Sequence, residues 1–218
     1  MSPLIVGFGG SLRPGSAGEV LLSAALSQAE ILGARTLFFD GPALAALPHF
    51  APETSHRTAE QTRFVEAVRA ADGFVIATPG YHGGVSGLVK NAIDLLEDLR
   101  EDARPYLDGR AVGIIVTAAG WQACGVTLMS MRGIVHAMRG WPTPQGVTIN
   151  TVAQRVIVDG KLSDPQVTES IALQVRHVVE FARAARSTLT PQHGRETAGT
   201  SHGGRVENAD VYLTRGGS

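Results

Sequence analysis

The chain has 218 residues, 44% of them hydrophobic and 18% charged, with a formal net charge of -1. Such a composition fits one soluble globular core, excludes a disordered or fibrous chain, and argues against broad attraction to nucleic acid or an anionic membrane. The single cysteine, Cys124, rules out an intramolecular disulfide and stands without zinc-type ligand spacing, which together with the lack of signal-peptide features and of any apolar run of roughly 18 residues leads to an expected cytoplasmic location.

In chain order, apolar runs alternate with helical periods. Residues 4–8 read as a first strand, and 17–32 place Val20, Leu21, Ala24, Ala25, Leu26 and Ile31 on a helical period that stops at Gly33. A weaker strand over 35–39, suited to a sheet edge, is followed by a helix over 57–71 with Phe64, Val65 and Val68 on one stripe. Strands over 73–78, 111–117 and 145–149 then alternate with helices over 86–99, 125–138 and 165–186. This order predicts a flavodoxin-like doubly wound α/β fold, a five-stranded parallel sheet with helices on both faces and ligands beyond the carboxyl ends of the strands. The loops there span 9–17, 40–56, 79–86, 118–125 and 150–163. From about Ser187 the chain turns polar, so residues 1–187 form the expected domain and 188–218 a tail, either disordered in solution or lying over a neighbouring subunit.

The first loop reads Gly9-Gly10-Ser11-Leu12-Arg13-Pro14-Gly15-Ser16-Ala17-Gly18. A strand–loop–helix turn presents backbone N–H groups and a positive helix end to an anion. Ser11 and Ser16 add hydroxyls, Arg13 a charged fork, and Ser16 suits the N-cap. The dinucleotide fingerprint fails because Leu12 stands at its third glycine, and the triphosphate loop fails because Ser16 follows Gly15 where lysine is required. A monophosphate-sized nest remains, against the plainer reading of a capped turn.

After the third strand comes Thr78-Pro79-Gly80-Tyr81-His82-Gly83-Gly84-Val85-Ser86-Gly87-Leu88-Val89-Lys90-Asn91-Ala92-Ile93-Asp94. With the Gly10-Ser11-Leu12-Arg13-Pro14-Gly15-Ser16 loop, this segment resembles the NADPH-dependent FMN reductase family over about residues 3–186. The resemblance implies that Ser11, Arg13, Ser16, Ala17 and Gly18 bind the FMN phosphate, while Pro79, Gly80, Tyr81, His82, Gly83, Gly84, Ala119 and Gly120 line the isoalloxazine. Glycines permit close backbone approach to a flat ring. His82 is either a proton donor or a contributor of backbone and shielding. Lys90, Asn91 and Asp94 belong either to a subunit interface, as in the family, or to a solvated helix face. Trp121 either covers the substrate site or anchors a dimer, and Cys124 reads as a small packed residue.

The implied activity is hydride transfer from NAD(P)H, with NADPH favoured, to bound FMN and on to a small-molecule acceptor: free flavin, a quinone, or an azo or nitro compound. The resemblance further implies a homodimer or homotetramer and no catalytic metal or nucleophile. The alternative is a flavodoxin-like electron carrier without reductase activity, which the near-zero charge supports poorly.

Overall fold

The structure, a computed structural model, describes residues 2–189. Strand β1 (Leu4–Gly9) is buried throughout and lies between β2 (Arg35–Phe39) and β3 (Gly73–Tyr81), both parallel to it. On the far side of β3 lies β5 (Ala111–Ala118), also parallel, giving the order β2-β1-β3-β5. Alternation along these strands divides the core between the two faces. Leu4, Val6, Phe8, Phe74, Ile76, Val112, Ile114 and Val116 point to one cluster, and Ile5, Val75, Ala77 and Ile115 to the other. The first face is covered by α3 (Ala59–Ala70), α4 (Gly87–Asp94) and α5 (Trp121–Ala137); the second by α1 (Ala17–Ile31) and α6 (Pro165–Leu189). Phe64 of α3 meets Phe8 and Phe39 edge to face, with ring centroids 5.4 and 5.2 Å apart.

The flavodoxin-like doubly wound order expected from the sequence is the order observed, with its fifth position divided. The strand expected over 145–149 is two short pieces beside β5, β6 (Trp141–Pro142) and β7 (Val147–Asn150). Pro144 has no N–H for a ladder, and the gap is bridged from α6 instead. Buried Gln174 donates from Nε2 to Ile114 O at 2.9 Å and Gln145 O at 3.0 Å.

Other boundaries moved for local reasons. A short α2 (Gly41–Ala45) stands inside the expected 40–56 loop because Asp40 accepts the Ala43 N–H and Pro42 occupies the first turn. The helix expected over 86–99 ends at Asp94 and continues as a 3₁₀ turn, Leu95–Leu99. The helix expected over 125–138 starts four residues earlier, at Trp121. A two-stranded hairpin, β8 (Ile157–Val158) and β9 (Lys161–Leu162), occupies part of the 150–163 loop, and α6 continues past the expected residue 186 to Leu189. The 188–218 tail lies outside the described residues apart from those last helical positions.

At the amino end of the sheet Asp72 and Arg110 find partners within the protein. Asp72 accepts the Leu4 N–H at 2.8 Å and pairs with Arg186 at 2.6 Å. The fully buried Arg110 donates from Nη1 to Val68 O at 2.7 Å and from Nη2 to the carbonyls of Arg104 and Tyr106, and its guanidinium lies over the Phe74 ring at 5.4 Å. Burial, with help from Arg104, pushes its pKa down to about 10.

Candidate functional site

The carboxyl ends of β1, β3 and β5 open into a cleft of about 550 Å³, within the range of small-ligand sites. Gly9 and Gly10 lead the chain out of β1 with φ of 137° and 98°, and Gly10 N–H donates to Ala77 O at 3.1 Å. A Cβ on Gly9 would stand 1.9 Å from that same carbonyl, so no other residue fits this exit. The loop then turns into α1, where Ser16 is the N-cap and accepts the Glu19 N–H at 3.3 Å. Its hydroxyl proton and the first-turn N–H groups of Ala17 and Gly18, which have no earlier carbonyl in the helix, are left for a ligand. Ser11, Arg13, Ser16, Ala17 and Gly18 all line the cleft.

The opposite wall is a hairpin where the sequence suggested a loop. β3 runs on through Pro79 and Gly80 to Tyr81 and returns antiparallel as β4 (Gly84–Val85), pairing Gly80 with Val85 and Tyr81 with Gly84. His82 and Gly83 form the turn with φ of 53° and 76°, the double left-handed geometry of a type I′ turn. The hairpin base is fixed by Thr78, whose hydroxyl accepts the Ser86 N–H at 3.1 Å, and Ser86 in turn caps α4 through the Val89 N–H. Gly80 lies so close to α5 that a Cβ would come within 2.8 Å of Thr127 Oγ1 and 3.3 Å of Ala123 O. Pro79, Gly80, Tyr81 and His82 line the cleft. Gly83 faces a neighbouring depression of about 350 Å³ formed with His82, Gln122, Ala123 and Val126. Gly84 lines neither and serves the return strand.

The third wall comes from the end of β5 and the start of α5. Ala119 and Gly120 line it, joined by Thr117, Ala118 and Ala123. Because α5 begins at Trp121, its N-terminus is part of the site. Gly120, the N-cap, has no side chain to satisfy the first-turn N–H groups, so a second positive helix end opens on the cleft. Cys124 is packed beneath, its thiol donating to Ile149 O at 3.3 Å, and burial pushes its pKa up. That agrees with a small packed residue and not with a nucleophile.

Thr151 completes the lining and was not singled out from the sequence. Both its N–H (2.8 Å) and its hydroxyl (3.2 Å) donate to Ala118 O, while Asn150 accepts the N–H groups of Val152 and Ala153. Its signal was a threonine just past a strand's carboxyl end. Asn91 of the second motif is buried away from the cleft and ties down the preceding loop, accepting from Phe50 N–H at 2.8 Å and donating to Leu47 O and Pro48 O at 3.2 Å. Lys90 and Asp94 form an exposed ion pair at 2.6 Å.

The two motifs thus stand on facing walls of one cleft. The family model for NADPH-dependent FMN reductase matches residues 3–154. The chain belongs to that family. An NADPH azoreductase from Bacillus sp. (strain OY1-2) is 30% identical over 147 residues, covering 66% of this chain and 74% of that protein. An NAD(P)H-dependent FMN reductase from Pseudomonas aeruginosa is 27% identical over 192 residues, 84% of this chain and 96% of the relative. Among solved structures, the NAD(P)H:acceptor oxidoreductase FerB from Paracoccus denitrificans superposes with a TM-score of 0.68 at 18% identity, covering 84% and 98% of the two chains. That last likeness concerns the fold. The family makes this FMN reductase homologue an oxidoreductase with FMN as cofactor and NADPH as co-substrate.

The donor set fits FMN: free helix-end N–H groups, two hydroxyls and an arginine on one wall suit a phosphate, and glycine-lined backbone on the others suits a flat ring. Among the described residues no helix is long and apolar enough to cross a membrane.

Proposed function

We propose that the cleft holds FMN with its phosphate at Ser11, Arg13, Ser16, Ala17 and Gly18 and its ring between the Pro79–Gly80–Tyr81–His82 wall and Ala119–Gly120, and that the enzyme reduces small aromatic acceptors of the quinone or azo type. The observation that carries this reading is the convergence of both motifs on one 550 Å³ cleft on which the N-termini of α1 and α5 open. Bound FMN supplies the centre that accepts hydride and passes electrons on. The chain's part is to bind, orient and stabilise. Ser16 and Arg13 anchor an anion, the hairpin holds its backbone rigid through Thr78 and Ser86, and the α5 N-terminus favours negative charge in the cleft. Exposed Tyr81 leaves one side open to a planar reactant. His82 contributes backbone and shielding, since its place at the turn is dictated by hairpin geometry.

The azo compounds are suggested by the azoreductase from Bacillus. Steady-state rates with NADPH and NADH across free FMN, a benzoquinone and an azo dye test the reading. Turnover of free FMN alone would narrow it to a flavin reductase, and failure of NADPH to bleach the bound flavin anaerobically would favour the electron carrier.

The assembly proposed is a homodimer or homotetramer. Trp121, Val126 and Met129 are 55%, 52% and 64% exposed along one side of α5, an apolar strip suited to burial against a second copy. A monomer by light scattering at micromolar concentration would contradict it.

A further inference from the structure

The turn that opens α1 carries a negative charge of its own beside the residues at which the reading above puts a phosphate. Glu19 lies in the first turn of α1, and its Oε2 accepts the Gly15 N–H at 3.1 Å while its own N–H donates to Ser16 Oγ at 3.3 Å. The carboxylate is thereby fixed on the same helix end that presents Ser16, Ala17 and Gly18 to the cleft. Among the described residues no lysine, arginine or histidine forms an ion pair with it. A helix N-terminus stabilises nearby negative charge, and a carboxylate already held there shares that field with an incoming anion and repels it.

We propose that Glu19 sets the affinity and the exchange rate of the flavin phosphate, its carboxylate opposing the phosphate so that FMN is held as an exchangeable ligand. This rests on the placement of the FMN phosphate given above. A purely structural role makes the opposite prediction. If Glu19 only anchors the loop through Gly15, its loss loosens the phosphate nest and weakens FMN.

Glu19→Gln separates the two, because the amide oxygen can still accept the Gly15 N–H while the charge is gone. Fluorescence titration of this variant at low ionic strength is expected to show FMN bound about fivefold tighter and released correspondingly more slowly, with riboflavin affinity unchanged. An FMN affinity equal to or weaker than that of the original chain overturns the proposal. So does an equal gain for riboflavin, which has no phosphate to sense the charge. Glu19→Ala removes bond and charge together and is expected to tighten FMN in the same direction; weakened FMN binding in this variant, with no gain in Glu19→Gln, assigns Glu19 to loop anchoring and overturns the proposal as well. If the original chain binds FMN and riboflavin equally well, the phosphate placement itself is wrong, a result distinct from an unchanged Glu19→Gln.

Discussion

The two ends of the sheet treat polar groups in opposite ways. At the amino end, Asp72 and Arg186 satisfy each other and the start of β1, and Arg110 spends its terminal nitrogens on three backbone carbonyls. At the carboxyl end the N–H groups that open α1 and α5 face a cleft, with only the Glu19 N–H capped by a side chain in α1 and none in α5. Buried polar groups that pair internally hold a fold together, whereas donors left open in a concavity are held ready for a ligand. Substitutions at the amino end should therefore act on stability and those at the carboxyl end on flavin.

The largest effect expected is at Arg110. Arg110→Ala leaves a cavity and unpaired carbonyls, and it is expected to cost roughly 3 kcal/mol in urea unfolding while the folded fraction keeps its FMN affinity. A flavin affinity that fell in parallel would show that the two ends are coupled. Next is Gly80→Val, whose side chain enters the space of Thr127 and Ala118. The hairpin must move, and flavin content after purification is expected to fall by about tenfold or more, with a stability loss of about 1–3 kcal/mol. Arg13→Ala removes an exposed cation from the cleft, so the melting temperature should hold while FMN binding weakens roughly tenfold to a hundredfold, the loss of one charge-assisted bond. An unchanged titration curve would remove Arg13 from the phosphate role. The smallest effect belongs to His82→Asn. Asparagine suits the left-handed turn position better, so stability should rise by a few tenths of a kcal/mol and the rate of flavin reduction by NADPH should stay within about twofold. A fall of a hundredfold would make His82 a proton donor.

Much of this was legible in the chain itself because its signals are local. Buried parallel strands announce themselves as continuous apolar runs, which placed β1, β3 and β5 within a few residues, and the weaker 35–39 run was placed as the edge strand it is. The fifth was placed as well, as β7, but the separate piece β6 before it was not, since the gap at Pro144 is bridged by Gln174, about thirty residues further on in α6, a partnership no local pattern displays. The early start of α5 was missed for a related reason. Its N-cap is a glycine, and the apolar Trp121 and Ala123 turn toward the surface and the cleft rather than forming a stripe against the core.

The sequence alone determined the sheet order, the two motifs and their family, because apolar period, glycine placement and spacing are properties of the chain read in one dimension. Only the tertiary structure decided that Pro79 to Val85 is a hairpin rather than a loop, that Gly84 turns away from the cleft, that Thr151 joins it and that Asn91 serves the loop beneath. Those are matters of which backbone groups meet across space. The physical reason is the same in each case: a hydrogen bond between residues far apart in the chain, such as Asn91 with Phe50, leaves no periodic trace in either segment.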